Sequence, residues 1–129
     1  MSPTPSSPRL ELFYRAPHGW FRATLAREVA VLDVTMFGDG TDDGLCGLLE
    51  FLEDASAQLA PGELVQVHVD VSGLTWVPLR TPMALGRWIL AHRHQLDQVE
   101  IVVGGALVRT ATEAVFRIAG VHNLRVLDR

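Results

Sequence analysis

The chain has 129 residues, a length that suits a single domain. Hydrophobic types make up 48% and charged types 20%, which allows a packed core and excludes global disorder. Its 11 basic residues, all arginine, face 15 acidic ones, and a net charge of −4 excludes a generally basic nucleic-acid coat.

Residues 1–8 contain three prolines and no large apolar residue after Met1. They read as a flexible tail rather than a secretory leader, with the domain proper at 9–129. No apolar run approaches the roughly 18 residues that span a bilayer. The single Cys46 excludes an intrachain disulfide and a cysteine-based zinc cluster, and suits a cytoplasmic protein.

Strand-like segments follow at Leu10–Arg15 and Trp20–Leu25, separated by Ala16-Pro17-His18-Gly19, whose Pro and Gly favour a turn. Glu28–Phe37 is β-branched and apolar and stops at Gly38-Asp39-Gly40, so the three segments predict an antiparallel meander. The period then changes. Leu45, Leu48, Leu49, Leu52 and Leu59 form one helical stripe, with Thr41 as cap, acidic Asp42 and Asp43 in the first turn, and Pro61-Gly62 beyond the end. Glu63–Val71 alternates, with Val65, Val67, Val69 and Val71 on one side and Gln66, His68 and Asp70 on the other, which predicts a strand with one covered face.

A second helix fits Pro82–Leu96, with Thr81 as cap and Pro82 at the first helical position. Its inner stripe is Leu85, Trp88, Ile89, His92 and Leu96. Val99–Val103 reads as a buried strand ending in Gly104-Gly105, Val108–Ala119 as a third helix with Thr110 and Glu113 at capping-box spacing, and Leu124–Leu127 as a last strand. Strands alternating with helices predict an α/β domain: a mixed sheet with parallel neighbours, preceded by the meander.

Few residue constellations point to chemistry. Asp33 and His68 share a sheet face if their strands pair in suitable register, the beginning of a general-base pair, but no Ser or Cys is tied to them by sequence. His92 and His94 project to different sides of a helix, whereas a helical metal pair prefers i, i+4. Gly104-Gly105 belongs to no G-x-G-x-x-G motif, and without lysine there is no G-K-[ST] motif. Residues 78–82 fall at a helix N-terminus, where free backbone N–H groups receive an anion or a partner's carboxylate. Beyond Leu64 the chain has 5 acidic and 7 basic residues, against 10 and 4 before, so an anionic partner would meet this later half.

The stretch Asp70-Val71-Ser72-Gly73-Leu74-Thr75-Trp76-Val77 resembles the core of the STAS domain, named for sulfate transporters and anti-sigma-factor antagonists. The family's strand ends in Asp-x-Ser-Gly-Val-Thr-Phe-Ile. Ile101-Val102-Val103-Gly104 and Val115–Val121 extend the likeness, which runs in element order over about Val29–Asp128. Where the family carries Asp-Ser-Ser-Gly, this chain has Pro78-Leu79-Arg80-Thr81, and its phosphorylated serine aligns with Arg80.

The resemblance implies a STAS-like single domain with helices packed mainly on one face of the sheet. It further implies a bacterial, non-catalytic regulatory protein–protein interaction module without the usual serine phosphorylation switch. Leu79, Arg80, Thr81, Met83 and Arg87 would form the partner surface, with Asp33 and His68 as a secondary one. The partner would be a protein, an ATPase subunit or a kinase-like regulator, with homodimerisation an option and no cofactor or metal. The alternative is a small-ligand or lipid carrier of the related CRAL-TRIO type, which rests on fold analogy.

Overall fold

A computed structural model describes residues 9–16, 19–76, 78, 80–105, 109, 112, 113, 117 and 123–128. The N-terminal tail and most of the expected third helix lie outside the described residues. Of that helix, Arg109, Thr112, Glu113 and Arg117 are helical, and Arg109 Nε lies 3.5 Å from Glu113 Oε1.

Six strands form one sheet in sequence order: β1 (Arg9–Ala16), β2 (Gly19–Ala26), β3 (Val31–Asp39), β4 (Val65–Trp76), β5 (Leu96–Val103) and β6 (Leu124–Asp128). The first three pair antiparallel, as short turns permit, and β3 through β6 pair parallel. Parallel neighbours need a crossover, and helices α1 (Asp42–Gln58) and α2 (Arg80–Ala91) supply it between β3, β4 and β5.

The alternation sorts the side chains by face. Phe21, Ala23, Leu25, Leu32, Val34, Val65, Val67, Val99, Ile101 and Val103 all point toward the helices and are buried. α1 meets them with Leu48, Phe51, Leu52 and Ala55, and α2 with Trp88 and Ile89. The opposite face carries Arg22, Asp33 and Gln66, all exposed. The helices thus cover one face of a mixed sheet.

Several local expectations are corrected. β3 begins at Val31, not Glu28, because Arg27–Ala30 form a turn in which Ala30 takes φ 55° and its amide donates to the Arg27 carbonyl. On α1 the inner stripe runs through Phe51 and Ala55, while Leu49 is half-buried and Leu59 caps the end. Thr41 is the N-cap, its Oγ1 accepting from the Gly44 amide at 3.0 Å. β4 does not stop near Val71. It continues to Trp76, with irregular register opposite Phe37–Asp39 of β3, so the Ser72-Gly73 pair bends a strand instead of ending it.

α2 starts at Arg80 and ends at Ala91, where a 3-10 turn at Arg93–Gln95 leads into β5, so Leu96 belongs to a strand. Pro82 is its third residue, tolerated because amides of the first turn have no helical acceptor. Gly105 takes φ 130°, and a Cβ on Gly104 would stand 3.1 Å from the Ser72 carbonyl oxygen. Those glycines serve a tight turn.

Candidate functional site

The site predicted at the start of α2 is only partly a surface. Arg80 is exposed, and its Nε lies 3.2 Å from Asp42 Oδ1, tying the N-terminal ends of the two helices. Both side chains are more than half exposed, so this pair contributes little to stability. Met83 and Arg87 are exposed on the same helix. Leu79 lies outside the described residues.

Thr81 differs from expectation on two counts. It is the second residue of α2 rather than its cap, and at 4% exposure it cannot belong to a docking surface. The helix starts two residues earlier than the Thr-Pro signal indicated, with the Thr81 amide donating to the Pro78 carbonyl at 2.9 Å. That turns the side chain inward. Its Oγ1 is buried without a hydrogen-bond partner.

Thr81 instead lines a cavity of about 460 Å³ between α1, α2 and the strands β3 to β5. α1 packs on β1, β2 and α2, and α2 meets the core through Trp88 and Ile89, while the cavity lies beside them with Thr112 also on its lining. The floor is Val34, Met36, Val67, Val69, Val71, Ile101 and Val103, and the walls include Leu48, Leu52, Leu85, Trp88 and Ile89. At the mouth stand Thr75, Trp76, Pro82 and Gly104, all exposed. The mouth therefore opens at the carboxyl ends of β4 and β5, the end where open α/β sheets commonly take ligands. This cavity explains why Val69 and Val71 are only half-buried while Val65 and Val67, on the same side, are fully buried.

Ser72, Thr112 and Trp88 add further polar side chains to the lining. The Trp88 side chain lies beside the end of α2. Its indole stacks on His92 with centroids 4.4 Å apart, and its Nε1 is buried with no partner. His92 Nδ1 lies 2.9 Å from the Trp88 carbonyl and its Nε2 3.6 Å from Glu53 Oε1, which fixes the ring at the helix end. None of the described lining residues carries a charge.

The secondary surface has the expected register. Asp33 and His68 are lateral partners across β3 and β4 on the open face. Yet the ion-pair contact of His68 runs the other way, its Nδ1 standing 3.4 Å from Glu100 Oε1 on β5. The lateral row reads Thr24, Asp33, His68, Glu100, Arg125, so no Ser or Cys adjoins the pair in register. Cys46 is exposed on α1. Among the described residues no group of three His, Cys, Asp or Glu is arranged to hold a metal ion, and no described helix is long and apolar enough to cross a membrane. His18 and His122 lie outside the described residues.

Sequence reasoning did not find the cavity. Its lining residues have the same alternation and helical spacing as ordinary core, and only their surplus of apolar length around Leu74, Trp76 and Leu85 distinguishes the stretch.

No protein-family model matches the chain, and no curated protein matches it. Among solved structures the chain is similar to an uncharacterised protein of the DUF3478 family from Shewanella loihica PV-4, described as having a SpoIIAA-like fold. The TM-score is 0.59 at 16% identity, covering 100% of this chain and 90% of the other. The fold is therefore SpoIIAA-like, the fold of STAS domains and anti-sigma-factor antagonists, as the Asp70–Val77 stretch implied. At this identity the likeness concerns architecture.

Proposed function

We propose that this chain is a non-catalytic binding domain of the STAS fold that holds a small apolar molecule between its helices and its sheet. The cavity carries the reading. Its walls are mostly apolar and its mouth opens to solvent, so water held there meets few polar partners. An apolar ligand releases that water and takes the apolar wall out of contact with it.

A second reading, the regulatory protein-interaction module that the resemblance implies, is supported by one observation. Trp76 and Met83, 60% and 51% exposed, lie near Arg80 in the chain at the start of α2. Exposed aromatic and Met side chains with Arg are the composition of a docking surface. An ATPase subunit, a kinase-like regulator or a second copy of the chain would meet it there, beside the cavity mouth.

Titration with the neutral fluorophore N-phenyl-1-naphthylamine tests the first reading. One saturable site is expected, weakened at least tenfold in Val69→Phe, whose ring fills the cavity from the floor. Failure to saturate, or unchanged binding by a folded Val69→Phe, would overturn it.

A further inference from the structure

We propose that the open face of the sheet is a two-fold interface with a second copy of this chain, its axis running parallel to the strands between β3 and β4. The proposal is independent of the cavity, which lies on the opposite, helix-covered face. It also leaves the surface at the start of α2 accessible to a different partner.

The order of charges carries it. One residue from each strand forms a lateral row: Glu11, Thr24, Asp33, His68, Glu100 and Arg125. The residues before and after each of the six pack toward the core, which puts the row itself on the open face. A two-fold parallel to the strands at the middle of this sheet sets the first strand against the sixth, the second against the fifth and the third against the fourth. Glu11 then faces Arg125 of the second copy, and Asp33 faces its His68, each pair being made twice. Thr24 faces Glu100, to which its hydroxyl can donate. No like charges meet. A two-fold across the strands through the same row would instead set Asp33 on Asp33 and Glu100 on Glu100, which is repulsive. The row therefore selects the first orientation.

Two of these charges have no ion-pair partner within the chain among the described residues, Asp33 and Arg125. The next row adds apolar surface at both edges. It runs from Phe13 on β1, 56% exposed, to Leu127 on β6, and the same axis sets one against the other. The six strands, about 4.8 Å apart, span about 24 Å, and about six residues of each span about 20 Å. Two such faces bury on the order of 1,000 Å², the lower end for a specific interface, so the dimer is a reversible one. Aligned sheets pack about 30° askew, which displaces the edge pairs more than the central one. Asp33 and His68, beside the axis, are therefore the residues to test.

Sedimentation velocity on the whole chain, from about 10 μM to about 1 mM, should show a reversible dimer. Asp33→Arg sets arginine against His68, and His68→Asp sets aspartate against Asp33. Each variant alone should dimerise at least about tenfold more weakly, with its circular dichroism unchanged. Mixed in equal amounts, the two variants should recover affinity to within about threefold of the native chain. In that mixed dimer the introduced arginine faces the introduced aspartate, and the native Asp33 faces the native His68. A native chain that is monomeric at about 1 mM would overturn the proposal and leave the face to a different protein. Folded variants that associate as tightly as the native chain would overturn it as well. So would a mixture no tighter than its components, because the two-fold pairing of these positions requires complementation.

Discussion

Replacing Thr81 by valine exchanges a hydroxyl for a methyl of the same shape, and two accounts of this residue give opposite signs. If Thr81 caps α2, as the Thr-Pro pair indicates, the substitution removes a cap and costs about 0.5–2 kcal/mol. In the structure Thr81 lies inside the helix, 4% exposed, with Oγ1 unpartnered. A buried unpaired hydroxyl costs about 1–3 kcal/mol, and helix propensity barely separates Thr from Val. The ligand-free protein should therefore gain about 1–2 kcal/mol. For 129 residues at about 2.1 cal/mol/K each, the unfolding entropy is about 0.27 kcal/mol/K, so the midpoint should rise by about 4–7 °C. Calorimetry on protein stripped of small molecules over a lipophilic resin reads this directly. A lowered midpoint would refute the placement of Thr81 and restore the cap.

Two further outcomes test the packing and the charge. Leu25→Ala, at a side chain 1% exposed on the covered face and away from the cavity, should cost about 2–5 kcal/mol in urea unfolding, whereas Val69→Ala should cost less because Val69 already borders open space. The Ala60 amide, donating at 2.8 Å, and then Arg27 hold the Glu63 carboxyl below its ordinary value of 4.5. Its stabilising contribution is complete above the unfolded value and disappears as pH falls through the lower folded one. Glu63→Gln should therefore lower the urea midpoint near neutral pH and flatten its decline below pH about 5; a parallel decline would refute the assignment.

What the sequence made legible is what repeats. The alternation of Val65 and Val67, the helical stripe of Leu45, Leu48 and Leu52, and the acidic first turn after Thr41 each fix a face or an end locally, and each stands as read. The parallel neighbours followed from the same elements, since helices between strands leave parallel pairing as the short-connection solution, whereas the order of strands in the sheet is given by the structure. Local signals failed where tertiary pairing overrode them. Ser72-Gly73 has the composition of a turn, yet β3 keeps pairing beyond it, and β4 runs on to Trp76. The Thr-Pro pair has the composition of a helix start, yet α2 begins at Arg80.

The cavity was illegible for a deeper reason. Periodicity reports which side of an element is apolar, not how near the opposing element comes. Val65 and Val69 are indistinguishable in pattern, but one is fully buried and the other borders open space, because α2 leaves the carboxyl end of β4 uncovered. The spacing of two elements depends on contacts between residues far apart in sequence, and no single window of sequence contains them. Polar satisfaction is likewise a property of the assembled fold: Thr81 and Trp88 are unremarkable in a helix until burial removes water from both and supplies no protein partner. Two unpaired buried polar atoms on residues beside a mostly apolar cavity are a local departure from consistent design, and such departures concentrate at functional sites. The predicted interaction surface and the cavity thus meet at the first turn of α2, where Arg80 and Met83 face solvent and Thr81 faces inward. Any molecule seated against Thr81 lies one helical residue from the surface a protein partner would read.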